Sequence, residues 1–222
     1  MIDPRLVMVD GVAPGIGKST LAASIAAVLK DGGAAADLFP EEDLFTRPEF
    51  AHVAQGFRDK NSPTPEVFLP AYTATIEQMR ARHAWGIFDW TCVGMASDMP
   101  WAIAEPLRLH RLVRDVQKLA AEMSPVVLFL TGDVREATRR AAAERGQVWV
   151  DYWVRIAAEH GAPSGPDLER IVYYQERSQQ PRQADLEILR QAGWIVLSVD
   201  AMEGRSGVLK QALTRLGLTP SP

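Results

Sequence analysis

The chain has 222 residues, 47% of them hydrophobic and 23% charged, a balance that argues against disorder over most of its length and supplies a full core for one compact α/β domain with a mobile insertion. A formal net charge of -4 excludes general attraction to a nucleic-acid backbone, so no nucleic-acid partner is expected. The single cysteine, Cys92, excludes an intrachain disulfide, and His52, His83, His110 and His160 show no metal-ligand spacing, so no structural metal is expected.

The N-terminus carries Asp3 and runs into Leu6-Val7-Met8-Val9 without the basic stretch, apolar core and small-residue cleavage site of a signal peptide. No apolar run approaches the roughly 20 residues that span a bilayer. A cytoplasmic location with no membrane partner is therefore expected. Leu6 to Val9 reads as a strand broken at Asp10-Gly11, and the alanine-rich segment Lys18 to Leu29 reads as a helix ended by Asp31-Gly32-Gly33. Ala35 to Phe39 forms a second strand, stopped by Pro40 before the acidic run Glu41-Glu42-Asp43.

Phe45 to Pro65 is rich in turn residues and carries no clear period, whereas Glu66 to His83 is helical with Phe68, Tyr72, Ile76 and Met79 on one stripe, the spacing of core packing. Gly86 to Phe88 suggests a third strand ending at Asp89, then Trp90 and a loop through Pro100-Trp101. Leu107 to Met123 is a further amphipathic helix; together with the Glu66 to His83 helix it offers a possible homodimer face. Val126 to Leu130 is an apolar run of the kind that lies central in a parallel sheet, covered on both faces.

Gly132-Asp133 ends that strand, and Val134 to Glu144 is a helix rich in arginine, with Arg135, Arg139, Arg140 and then Arg145. A helix follows from about Trp149 to Glu159, then a loop from Gly161 to Pro166 and a largely helical stretch from Asp167 to Gln191, interrupted near Pro181. Trp194 to Val199 is the last strand, Gly207 to Leu216 the last helix, and residues 219–222 a frayed tail. Short apolar strands alternating with helices specify a doubly wound, five-stranded parallel sheet, because right-handed crossovers put helices on both faces. Ligands of such sheets bind beyond the carboxyl ends of the strands. The glycine loop, Glu41 to Asp43, Asp89 and the start of the arginine-rich helix all fall there.

Asp10-Gly11-Val12-Ala13-Pro14-Gly15-Ile16-Gly17-Lys18-Ser19-Thr20 follows a strand and opens a helix, the context in which a Walker A match has a mechanism. In this P-loop, glycines let backbone N–H groups converge on phosphate oxygens, and the helix N-terminus adds a favourable dipole. Gly15, Ile16, Gly17, Lys18, Ser19 and Thr20 form the expected phosphate cradle, with Lys18 reaching the β- and γ-phosphates and the Ser19 hydroxyl binding magnesium. The pattern departs at one place: position 12 is Val12, and the first glycine, Gly11, comes one residue early.

The loop, the acidic group after the second strand and the arginine-rich helix after the fourth resemble the nucleoside and nucleotide kinase group of P-loop proteins, especially the deoxynucleoside and thymidylate kinases. The resemblance implies one kinase domain over residues 1–218, an acceptor-binding region about 43–101 and an arginine-bearing lid about 133–150. It implies ATP and magnesium as cofactors and a small-molecule acceptor, a nucleoside or nucleoside-like hydroxyl compound. A nucleoside monophosphate kinase and a P-loop NTPase switch acting on a partner protein are the alternatives. The general base is expected among Glu41, Glu42 and Asp43. Asp43, Phe45 and Arg47-Pro48 are similar to the uridine kinase version of that segment.

The group also carries an Asp/Glu-Arg pair after its third strand, where this chain has Asp89-Trp90. Phe45, Tyr72, Asp89 and Trp90 are the substrate-binding candidates, and Asp89 joins Ser19 as a metal candidate by ordering magnesium-bound water. The lid resemblance makes Arg139 and Arg145 the expected contacts to the transferring phosphoryl group, with Arg177 and Arg182 weaker candidates.

Overall fold

The computed structural model describes residues 4–59 and 62–218. Asp3 and the tail 219–222 lie outside the described residues. Five strands, β1 (Leu6–Gly11), β2 (Ala36–Phe39), β3 (Trp85–Phe88), β4 (Val126–Thr131) and β5 (Ile195–Asp200), pair in parallel in the order β2-β3-β1-β4-β5. Leu6, Val7, Met8 and Val9 each have 0% exposure. Since successive side chains point to opposite faces, the middle strand is covered on both. β4 is buried in the same way from Val126 to Leu130.

Between the strands run α1 (Lys18–Asp31), α2 (Asp43–Thr46), α3 (Ala51–Arg58), α4 (Pro65–Ala81), α5 (Pro100–Ala104) and α6 (Pro106–Ala120). After β4 come α7 (Val134–Arg145), α8 (Gln147–Glu159), α9 (Asp167–Arg177) and α10 (Gln179–Gln191), and after β5, α11 (Gly204–Leu216). Helices α1 and α11 pack together, and α4 and α10 each pack against α6. The arrangement is an α/β fold compatible with double winding. No helix among the described residues is long and apolar enough to cross a membrane.

The stripe Phe68, Tyr72, Ile76 and Met79 is core, each at most 1% exposed. Leu109, Leu112, Val113 and Val116 of α6 are buried as well, and α4 packs on α6. Both stripes thus pack inside the chain. Two expectations are corrected. The stretch after Phe45 is not irregular: a 3-10 turn at Pro48–Phe50 leads into α3, which buries Val53 and Ala54. The loop through Pro100-Trp101 contains α5, with Pro100 at its first position, where the missing N–H costs nothing.

Candidate functional site

The strand delivers the chain to the loop farther along than its apolar run suggests. β1 continues through Asp10 and Gly11, which pair with Phe129 and Leu130 of β4, and the Val12 N–H still reaches the Leu130 carbonyl at 3.0 Å. Val12 is 5% exposed and belongs to the core. The early glycine has a packing reason: a Cβ on Gly11 would stand 2.7 Å from Ile16 Cγ2, so Gly11 is where the loop folds back over its own strand. Gly15 and Gly17 take φ of 80° and 105°, left-handed backbone that other residues rarely adopt.

Gly17 caps α1 without a side-chain hydrogen bond, and the first helical bond runs from Leu21 N–H to the Gly17 carbonyl at 2.9 Å. The N–H groups of Lys18, Ser19 and Thr20 therefore have no acceptor within the helix, at the end where the dipole is positive. All three residues line a cavity of about 590 Å³ above the carboxyl ends of the strands. The end of the cavity at this helix N-terminus suits an anion.

Two carboxylates of different character stand near it, Asp10 in the cavity wall and Asp89 buried behind Ser19. Asp10 is held: its Oδ1 accepts from the Gly11 N–H and its Oδ2 from Thr91 Oγ1, both at 2.8 Å. Asp89 is 3% exposed and its Oδ1 has no hydrogen-bond partner. Burial pushes its carboxyl above the ordinary value, Ser19 draws it back by hydrogen bonding, Glu41 pushes it up, Lys18 draws it down and Glu42 pushes it up. A buried, half-satisfied carboxylate beside the Ser19 hydroxyl fits a hydrated divalent cation, which magnesium sites hold through one or two carboxylates and the ligand's own phosphates. Among the described residues no three His, Cys, Asp or Glu side chains gather as a cage, so phosphate oxygens would complete any such site.

Of the acidic run, Glu41 lines the cavity. Asp43 is drawn aside into an ion pair with Arg47, whose guanidinium lies 4.1 Å from the Phe39 ring centroid. Glu42 is exposed, outside the cavity wall, and reaches the site only through its charge on Asp89. The expected aromatic contacts separate similarly. Phe45 is half-exposed and leans on Phe57. Tyr72 is buried, its hydroxyl accepting from Trp90 Nε1 at 3.1 Å, and Trp90 sits edge-on to Phe88 and Phe50. Core packing claims Tyr72 outright, while Trp90 is core that also reaches the cavity wall.

Helix α7 is seated directly on the loop. A Cβ on Gly15 would fall 2.4 Å from Ala141 Cβ and 2.6 Å from the Ala137 carbonyl oxygen. Asp133 caps the helix by accepting from the Glu136 N–H at 2.7 Å. Arg135 and Arg139, one turn apart, share its outer stripe: Arg135 pairs with Glu169, and Arg139 makes two bonds of 2.8 Å to Glu136. Arg139 therefore does not face the loop. Arg145, six residues on and turned about 120° around the axis, lines the cavity, and Arg140 lines a smaller pocket of about 120 Å³ with Gly15, Gly17 and Thr20 on one side and Arg205 and Val208 of α11 on the other.

One of the weaker arginine candidates, Arg182, reaches the site, together with Gly94, Asp98, Tyr152 and Trp153, which were not singled out from the sequence. Arg182 of α10 donates from Nη1 to the Gly11 carbonyl at 3.1 Å and lies 3.9 Å from Asp10 Oδ1. Gly94 touches Asp10 closely, since an added Cβ would be 2.9 Å from Asp10 Oδ2. Gly94, Asp98, Tyr152, Trp153 and Arg182 are shared with a second cavity of about 680 Å³, which extends between α8, α9 and α10. Arg177, one of the weaker arginine candidates, lines that second cavity and donates to the Tyr173 hydroxyl at 3.3 Å.

Asp185, in the second cavity, accepts from Ser97 Oγ at 3.1 Å. Burial pushes its carboxyl from 3.8 up to about 7; Ser97 opposes this, Asp10 and Asp98 add to it, and Arg182 opposes it. Because the folded value is the higher one, folding loses stability as pH rises from 3.8 through about 7. Asp185→Asn removes that loss. Its melting temperature should exceed that of the parent above neutral pH, with the gap closing as pH falls toward 3.8. A gap independent of pH in thermal melts would contradict the burial of a charge at this position.

No family model and no curated protein matches the chain. Among solved structures, an uncharacterized protein from Eubacterium ventriosum ATCC 27560 is similar over 97% of this chain and 99% of its own, at 9% identity and a TM-score of 0.49. A likeness of that size carries no argument about the site.

Proposed function

We propose that the chain is a P-loop phosphotransferase that moves the γ-phosphoryl group of ATP to a hydroxyl of a small molecule. One observation carries this reading: the loop from Gly11 to Thr20 joins the middle strand of the sheet to α1, and its uncapped helix N-terminus, Lys18 and Ser19 open into one cavity with Glu41 and Arg145, with the buried Asp89 behind Ser19. The triphosphate lies along the loop, its phosphates against the N–H groups of Gly17 to Thr20 and the Lys18 ammonium. The donor base occupies the pocket between α7 and α11, beside Arg140 and Val208. Ser19 and Asp89 would hold magnesium, which when bound neutralises phosphate charge.

In the transfer step the acceptor oxygen forms a bond to the γ-phosphorus as the bond from that phosphorus to the β,γ-bridging oxygen breaks. The electron pair leaves with ADP, and the hydroxyl proton passes to Glu41. Lys18 and Arg145 offset charge spread over the equatorial oxygens. Asp89, buried beside Ser19 and outside the cavity wall, is placed to hold the cation rather than to take the acceptor's proton. Glu41 lines the cavity, which is why it replaces Glu42 and Asp43 as the base.

The reading requires that ADP release depend on an acceptor, measured by a coupled assay over a panel of nucleosides and other hydroxyl compounds. Glu41→Gln, which keeps shape and removes the base, should lower acceptor-dependent turnover ~100-fold or more without changing affinity for ATP. Steady ATP hydrolysis with no acceptor, unaltered by the panel, would instead mark an NTPase that drives a partner.

A further inference from the structure

The second cavity holds a buried amide with nothing to bind. Gln175 of α9 is 1% exposed, yet neither its Nε2 nor its Oε1 has a hydrogen-bond partner. An amide desolvated at both ends costs free energy unless something pairs with it. Gln175 lies in the wall of the cavity of about 680 Å³, among Trp153, Tyr174 and His160. The aromatic groups adjoin one another at a tilt: Trp153 and Tyr174 have ring centroids 6.0 Å apart at 37°, and His160 and Tyr174 are 5.0 Å apart at 53°. Flat rings beside one donor and one acceptor on the same side chain suit a planar ligand that offers a complementary acceptor and donor on one edge.

The position of this cavity decides what such a ligand would do. The pocket between α7 and α11 adjoins the loop through Gly15, Gly17 and Thr20. The second cavity joins the loop cavity through Gly94, Asp98 and Arg182 instead. Loop phosphates would therefore lie between two chambers, one for the donor and one left over. By contrast, the segment expected to bind the acceptor has folded in on itself: Tyr72 is core, Phe45 leans on Phe57 and Asp43 is paired with Arg47.

We propose that the acceptor lies in this second cavity between α8, α9 and α10, and that it is a hydroxyl compound bearing a planar heterocycle whose adjacent N–H and C=O groups pair with the Gln175 amide. The assignment rests on the phosphotransferase reading and names its substrate class and subsite. The ring stacks on Trp153 and Tyr174, and the hydroxyl reaches the loop cavity past Gly94 and Arg182. The transfer step is unchanged: oxygen to γ-phosphorus forms, γ-phosphorus to bridging oxygen breaks, ADP carries off the electron pair, and Glu41 takes the proton.

The probes are uridine, thymidine and inosine, which carry that edge, and N3-methyluridine and ribose, which do not. Binding is followed by calorimetry with the magnesium complex of a non-hydrolysable ATP analogue held saturating. At least one of the first three should bind, N3-methyluridine and ribose should bind at least about tenfold more weakly, and Gln175→Leu should weaken the best probe by about tenfold or more, the range expected for loss of a two-bond amide contact. Gln175→Leu keeps the side-chain volume and removes two unpartnered polar atoms, so its melting temperature should equal or exceed the parent's. Trp153→Ala serves as a second variant and should weaken the same probe by about tenfold or more.

Absence of binding by uridine, thymidine and inosine overturns the proposal, as does binding that neither substitution alters. A marked loss of stability in Gln175→Leu overturns it too, because the amide would then be structural. Failure of the parent protein to bind the ATP analogue, read in a separate titration, overturns the phosphotransferase reading itself and this assignment with it.

Discussion

Lys18→Ala should lower phosphoryl transfer by about 100- to 1,000-fold, the usual loss when one preorganised charge-stabilising donor is removed from a reacting centre. The substitution should leave the fold intact. Lys18 is only half-buried at the first position of α1 and lines the loop cavity rather than the core. Alanine is also the best helix former, so the start of α1 loses nothing from it. The check is steady-state turnover beside a thermal melt of the same sample. Unchanged turnover would remove the loop from the chemistry, and a collapsed melt would show that Lys18 has a structural duty.

Arg145→Ala should lower turnover by about 1,000-fold, at the low end of the range for an arginine that stabilises charge on a transferring phosphoryl group. ATP affinity should fall much less, because such a contact is made mainly in the transition state. Arg139→Ala should leave turnover near the parent value. Its guanidinium is committed to Glu136, on the stripe of α7 that faces away from the loop. The two variants differ in nothing but which face of one helix they alter, so the comparison isolates the geometry. Equal losses from both, in kcat measured at saturating ATP, would contradict it.

The sheet was readable because each strand is a short apolar run. Val126 to Leu130 announced itself as buried on both faces, and Leu6 to Val9 behaved likewise. Boundaries shifted where backbone pairing outlasted the apolar pattern, as at Asp10 and Gly11, which extend β1 through bonds to β4 that no side-chain period reveals. α3 stayed hidden because eight residues make too few turns to establish a period. Pro100 was read as loop and Pro181 as an interruption, yet each sits in the first turn of a helix, where proline is tolerated; the break between α9 and α10 falls at Ser178 instead.

The loop was legible as a motif because its chemistry is local: Gly15, Ile16, Gly17, Lys18, Ser19 and Thr20 are consecutive. The rest of the site depends on which helix faces turn inward. Arg139 and Arg145 look alike in sequence, and only the seating of α7 through Ala137 and Ala141 on Gly15 tells them apart. Tyr72 fell on a core stripe, and that period was the better guide to it than proximity to the acidic run. Gln175, Asp185 and Trp153 come from three separate helices. Each reads alone as an ordinary amphipathic position, and their meeting is a fact of tertiary packing.

The most direct test of the loop as a triphosphate site is calorimetric titration of the parent protein and of Lys18→Ala with the magnesium complex of a non-hydrolysable ATP analogue. The account predicts saturable one-to-one binding to the parent and at least about tenfold weaker binding to the variant, the effect of losing one charge-assisted contact to phosphate. No saturable binding to the parent, or equal affinity in the two proteins, would contradict it.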